Sequence, residues 1–354
     1  MFNLSTETKR REAFKRMGNT FQAAGTRHYI LSEGNNYGTR AVDVKTGSGL
    51  EYTVVKDRGM DISLASYKGI NLVYLTNNGE VNPAFYESQG SEWLRTFFGG
   101  LLTTCGTTYL GPPCIDDGEE LGLHGRHSSI PATRVCDLSD FDTGEIRITG
   151  RVEESVLYGN MHVVLRDIHS KIGKSVITIE DRVRNIKSKD SPFTILYHIN
   201  FGYPLLDEHS EVYVTSAEYH AYDDYSQGFI DDIYSFEKPG NNNYEKNYWH
   251  SFDENKGAAY AIIANRELMD GLAVYIKFDP RVLPYLNHWK VEDELDYVLA
   301  LEPSNTFCYS RKELREKGLL PILKGHEERK IEVEIGVIDG NKEIDEFLKS
   351  IGGI

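Results

Sequence analysis

Cysteine is scarce: Cys105, Cys114, Cys136 and Cys308 are the only four in 354 residues, and none forms a CxxC pair. That excludes a disulfide-stapled scaffold and predicts reduced, mostly buried thiols. No run of about 18 consecutive apolar residues occurs, so no membrane-spanning helix is expected. Positive charge is outnumbered, 39 Lys and Arg against 54 Asp and Glu, for a net charge of −15. No basic cluster carries interleaved aromatics, and such a surface repels phosphate backbones, so nucleic acid is not an expected partner. Pro- or Ser-rich linkers and repeats of fixed period are also missing. The length accommodates two domains, but the uniform patterning predicts one, over 1–354. The opening stretch "MFNLSTETKRREAFKRMGN" lacks the apolar run and small-residue cleavage site of a secretory signal, and a cytoplasmic location is expected. It reads as a short charged helical extension over 1–20, with Ser5 or Thr6 as cap and Gly18 as stop.

Tyrosine, by contrast, is plentiful at 22 residues, and it favours strands and aromatic-lined ligand sites. From about residue 40, short β-prone runs broken by Gly, Asn, Asp and Lys dominate: "LEYTVVKDRGMDISLASYKG", "EIRITGRVEES", "MHVVLRDIHSK", "FTILYHINFGYPLL", "GLAVYIKFDP", "LDYVLALEPSN", "ERKIEVEIGVID". In "SVITIEDRVRN", Thr178, Glu180, Arg182 and Arg184 form a polar face opposite Ile177, Ile179 and Val183, with Asp181 the one exception. Strands spaced this way indicate antiparallel sheets, hence an all-β fold, a large antiparallel β-sandwich with a few short helices. One helix is expected over 341–354, with Ile344, Phe347, Leu348 and Ile351 on one face. "SFEKPGNNNYEKNYWHSF" reads as a long loop within the domain. In "DRGMDI", Asp57, Arg58 and Gly59 read as a tight strand connection with an internal salt bridge.

Three segments place titratable groups where strands end in loops: "LHGRHSSIPA" (123–132), "LYHINFGYPLL" (196–206) and "LALEPSNTF" (299–307). Each puts a candidate acid or base near a Gly or Pro: His124 before Gly125, His198 four before Gly202, Glu302 before Pro303. Two imidazoles and a carboxylate can divide proton removal and delivery between them. From the residues alone, a capped turn at His124, a core histidine at His198 and a surface glutamate at Glu302 stay open as alternatives.

These segments, together with "WLRTFFGGLLTTCG", "LPYLNHWK" and the 31–62 stretch, resemble the aldose 1-epimerase (galactose mutarotase) superfamily over nearly the full length. The resemblance is strongest to its divergent, uncharacterised aldose 1-epimerase family branch (DUF4432-like). It departs at LHGR, where the superfamily has LHGG, and at Tyr197, where it has Asn before the second histidine. The resemblance implies a galactose mutarotase-like supersandwich with a sugar in an open cleft on one sheet, and interconversion of sugar anomers by ring opening. It assigns Glu302 as base, His198 as acid and His124 as stabiliser of developing charge, with no metal, nucleotide or other cofactor.

This chemistry calls for an ionised carboxylate beside a protonated imidazole, and mutual attraction is expected to favour both charged forms. Arg126 and Arg95 present donor forks suited to hydroxyls or an acidic group, and Lys277 adds charge. Trp289 offers a ring face to a sugar and Asn200 a hydrogen bond to a hydroxyl. Several cations near one cleft would suit an acidic sugar. The expected partner is a small-molecule carbohydrate, and homo-oligomerisation stays open. A metal-dependent sugar isomerase would instead use His124, His127, His198 and Glu302 as ligands. A non-catalytic carbohydrate-binding or sensor protein would keep the cleft without needing an acid–base set. A glycoside hydrolase would need a second carboxylate across the scissile bond.

Overall fold

Side chains on a strand alternate between faces, so runs patterned with a period of two bury one face by pairing edge to edge and stacking. The computed structural model describes residues 4–241 and 244–352, and it places such runs in two large antiparallel sheets. The eight-stranded sheet runs, in spatial order, Ser210–Val214, Ala259–Asn265, Leu272–Phe278, Glu328–Asp339, Val176–Asn185, Met161–Lys171, Glu145–Ser155 and Thr133–Asp137. The six-stranded sheet runs Glu218–Ala221, Lys246–Ser251, Tyr285–Glu292, Tyr297–Ser304, Thr194–Phe201 and Thr103–Thr107. Five further strands between Gly25 and Asn71 form a separate meander. One apolar cluster draws on all three, including Val54 and Ile62 of the meander, Ile177 and Ile276 of the eight-stranded sheet, and Leu299 and Leu301 of the six-stranded sheet.

Asp181, the polar exception on an apolar face, is fully buried and accepts two hydrogen bonds from Arg166, at 2.9 and 2.7 Å. The Tyr197 hydroxyl of the six-stranded sheet donates to the same carboxylate at 2.7 Å. Arg166 also donates to Asp61, which in turn accepts from the Thr104 amide and hydroxyl. A buried ion pair is retained only when its remaining donors and acceptors are occupied. Here they are, and the network ties the strand carrying His198 to the opposite sheet.

The salt bridge expected within "DRGMDI" is not formed. Asp57 pairs with Arg40, while Arg58, fully buried, donates to the carbonyls of Ser128, Val81 and Thr96. The N-terminal helix occupies Glu7–Phe14 with Thr6 as its cap. The C-terminal helix occupies Asn341–Ser350; Ile344, Phe347, Leu348 and Ile351 pack on Ile262, Ala264 and Ala273, on the face of the eight-stranded sheet away from the core. Residues 1–3 of the expected N-terminal extension and 353–354 of the expected C-terminal helix lie outside the described residues. Among the described residues no helix is long and apolar enough to cross a membrane.

"SFEKPGNNNYEKNYWHSF" contains a strand, Lys246–Ser251, rather than loop alone; residues 242–243 of it lie outside the described residues. Its alternation is legible only in part, since Asn247, Trp249 and Ser251 share one face while Lys246, Tyr248 and His250 share the other. Apolar and polar residues fall on both faces, which hides the period.

Candidate active site

On the six-stranded sheet, register sets the site. Asn287 lies opposite Glu302 on neighbouring strands, and two opposed residues share a face with side chains close enough to bond. Asn287 Nδ2 donates to Glu302 Oε2 at 3.0 Å. On the next strand, His198 turns to the same face, and its Nε2 lies 3.3 Å from Glu302 Oε1.

His124 arrives from outside the sheet. It adopts a left-handed backbone, φ 58°, followed by Gly125 at φ 76°. A Cβ at Gly125 would sit 2.2 Å from the Tyr109 carbonyl, so only glycine fits this approach. Backbone bonds lace the turn to the strand beside it: Gly106 donates to the His124 carbonyl, and Arg126 donates to the Gly106 carbonyl. The buried Arg58 holds the next residues through the Ser128 carbonyl, and Trp93 Nε1 donates to Ser128 Oγ.

The two imidazoles, with ring centroids 6.1 Å apart, stand in an aromatic box. Trp93 meets His124 at 4.6 Å, and Phe97 and Trp289 meet His198 at 5.1 and 5.5 Å. The cavity above them has a volume of about 710 Å³, and His124, His198, Glu302, Asn287 and Trp289 all line it. That size suits a small-molecule ligand.

Desolvation dominates the electrostatics. Burial pushes the Glu302 carboxyl up to about 8; the Asn287 hydrogen bond opposes this and the Glu245 charge adds to it. Burial pushes His198 down to about 3, helped by His124, and His124 down to about 4. The expected mutual stabilisation of charged forms is therefore overturned. Attraction between two buried ions outweighs their desolvation only when their other polar atoms are satisfied. Glu302 Oε1 and His198 Nδ1 are buried without hydrogen-bond partners, as is His124 Nδ1. These directions favour a neutral carboxyl on Glu302 beside two neutral imidazoles at neutral pH.

Four of the expected substrate contacts stand elsewhere. Lys277 lies on the eight-stranded sheet near Glu334, outside the cavity. Arg95 is 76 % exposed and pairs with Glu92 one turn away. Arg126 is exposed and does not line the cavity. Asn200 is fully buried and donates to the carbonyls of Gly100 and His198, on the same strand face as His198 but outside the cavity lining. Trp289 alone of the five lines the cavity. Among the described residues no Lys or Arg lines it, so the cations expected to suit an acidic sugar are not there. His127, the extra ligand of the metal reading, packs against Gly59 away from the cavity. Among the described residues no group of three or more His, Cys, Asp or Glu is arranged to hold a metal ion.

Sequence reasoning missed Glu245, Asn247 and Trp249, which line the cavity from the strand hidden in the supposed loop. It also missed Asn287, whose signal was present: "LPYLNHWK" places Asn287 and Trp289 two apart, on one face of a strand.

The fold and this sheet-borne cleft define a galactose mutarotase-like sandwich. By sequence, the chain belongs to the family described as a domain of unknown function, DUF4432, whose model matches residues 36–337. Among solved structures it is similar to a protein from Klebsiella pneumoniae subsp. pneumoniae MGH 78578, provisionally described as an aldose 1-epimerase. The two share a TM-score of 0.85 and 22 % identity over 97 % of this chain and 94 % of that one. A galactose mutarotase-like protein from Clostridium acetobutylicum gives a TM-score of 0.63 and 13 % identity over 90 % and 99 % of the two chains. The galactose 1-epimerase of Lactobacillus acidophilus NCFM gives 0.60 and 12 % over 90 % and 100 %. No curated protein matches the chain.

Proposed function

We propose that this chain is an aldose 1-epimerase-like isomerase that interconverts the anomers of a sugar bound over His124, His198 and Glu302. One observation carries the reading: an acid–base pair in 3.3 Å contact lines a cavity of sugar size, with polar atoms buried and unpartnered. Buried polar atoms cost about 1–3 kcal/mol each when unpaired, so a ligand that bonds them recovers that cost on binding.

The chemistry needs one mobile proton, which the cluster holds. The base removes the proton from the anomeric hydroxyl as the C1–O5 bond breaks, and the acid protonates O5. The result is an open-chain aldehyde with the proton count of the cluster unchanged. Rotation about C1–C2 presents the other face, and reclosure runs the transfers backwards. With the proton on Glu302, His198 is base and Glu302 acid; moved across the 3.3 Å contact, the roles reverse. Both assignments serve one catalytic cycle, because the group that accepts a proton on opening returns one on closing. His124, neutral and set by Trp93, can place a hydrogen bond on the ring oxygen or the nascent carbonyl.

Anomer exchange measured by NMR saturation transfer across a panel of aldoses tests this, with Glu302→Gln as comparison. The expected result is exchange above the spontaneous rate that disappears in the variant. Sugar binding without any rate enhancement would replace the isomerase with a carbohydrate-binding protein.

A further inference from the structure

The cavity has a second polar end, joined to the acid–base cluster through Trp289. Glu245 precedes the strand Lys246–Ser251, whose register sets Lys246 opposite Lys290 and so brings Glu245 beside Val291. Its Oε2 accepts from Trp289 Nε1 at 3.0 Å. Trp289 lies opposite Ala300, two residues from Glu302 along the same strand. At strand rise that is about 7 Å, the span of one sugar ring. Asp296, in the adjoining hairpin, accepts from the Tyr74 hydroxyl at 2.6 Å and lines the same end. Neither carboxylate makes an ion pair among the described residues, and no Lys or Arg lines the cavity there.

Atoms that do not belong to this acidic pair independently support a polar ligand in the cavity. Glu302 Oε1, His198 Nδ1 and Asn287 Oδ1 are unpartnered on lining side chains more than nine-tenths buried. Trp93, Trp249 and Trp289 line the same cavity. Carboxylates backed by indole faces are the combination that holds ammonium groups, since both attract positive charge.

Resting on the mutarotase reading, we propose that Glu245 reads the end of the sugar farthest from the anomeric carbon and selects by charge. Aldoses bearing carboxylate, phosphate or sulfonate are excluded, and a protonated amino substituent at the far end is preferred over the neutral hydroxyl. Like charges held within one partly buried site repel enough to lower affinity on the order of tenfold or more. An ammonium gains by a similar factor.

The test compares anomer exchange, by NMR saturation transfer, for a neutral hexose, its uronate, its 6-phosphate and its 4-amino-4-deoxy analogue. The proteins are the wild type, Glu245→Gln and Glu245→Lys, each checked for fold by circular dichroism. The wild type is expected to exchange the amino sugar fastest and both anions about tenfold or more below the neutral hexose. Glu245→Gln should compress that order and Glu245→Lys should invert it. Anions exchanged as fast as the neutral sugar, or an order unmoved in a folded Glu245→Lys, would overturn the proposal. Should no aldose exchange in any protein, the mutarotase reading fails. The same sugars then report through binding, by ligand-observed NMR, where the same order supports charge selection and a flat order or no binding refutes it.

Discussion

Replacing Glu302 by Gln should change the pH dependence of stability in a predictable direction. Glutamine keeps the shape of a neutral carboxyl but cannot ionise. In the folded protein, burial raises the Glu302 carboxyl from its ordinary 4.5 to about 8. Between those values the native state holds a proton that the unfolded chain has lost. Stability from this group is therefore complete below the ordinary value and declines as pH rises, until the folded group itself ionises near 8. The slope is about 1.4 kcal/mol per pH unit for one proton. From pH 6.5 to 8 the wild type should thus lose about 2 kcal/mol relative to Glu302→Gln. The comparison cancels His124 and His198, whose folded forms near 4 and 3 place their own contribution at lower pH, where stability rises with pH up to their ordinary 6.5. Urea denaturation of both proteins at closely spaced pH values measures the difference. A gap constant across that window would mean that Glu302 is ionised in the native protein at neutral pH, and would refute the single-proton account of the cluster.

The same reading predicts that anomer exchange falls as pH rises through about 8, where Glu302 loses its proton; a rate flat to pH 9.5 would contradict it, as an order-of-magnitude expectation from titration of one group. Asp181→Asn, which leaves Arg166 with half its carboxylate partners, should cost about 3 kcal/mol in urea denaturation, and a loss below about 1 would show that Asp61 alone satisfies the guanidinium. Gly125→Ala forces a Cβ to 2.2 Å from the Tyr109 carbonyl; it should displace His124 and suppress exchange while the urea midpoints of the far sheet's helix contacts stay in place, and unchanged exchange would remove His124 from the machinery. Arg95→Ala and Lys277→Ala should leave exchange as it is, because neither side chain lines the cavity.

The strands were legible because burial follows a two-residue period. Val176–Asn185 shows it most plainly, its alternate positions from Ile177 to Asn185 buried and Glu180, Arg182 and Arg184 exposed. Asp181 broke that pattern, and the break marked the buried network rather than an error of register. His124, His198 and Glu302 were legible through their motif setting, although their protonation was not: nothing in a linear sequence states that all three are withdrawn from water together. Arg95, Arg126 and Lys277 were misplaced for a common reason. A cation close in sequence to a site, or at a strand position of unknown sheet, carries no information on which face it takes, and the sheet assignment sent Lys277 to the opposite layer. Glu245 and Trp249 went unseen because the cavity-side strand buries polar and aromatic residues on both faces, which erases the alternation used to find it.

Two sets of buried polar groups lie on either side of the strand Thr194–Phe201, and their difference separates scaffold from site. On the core side, Tyr197, Asp181, Arg166, Asp61 and Thr104 satisfy one another through hydrogen bonds of 2.6 to 2.9 Å. On the cavity side, His198, Glu302, Asn287 and His124 each keep an atom without a partner. A satisfied network rigidifies, and an unsatisfied one is tolerated where a ligand completes it. Adjacent residues of a strand point to opposite faces, so Tyr197 fixes the backbone from behind while His198 faces the cavity. The strand is held to the opposite sheet at one residue and presents an imidazole to the cavity at the next, which fixes the 3.3 Å contact to Glu302 from behind.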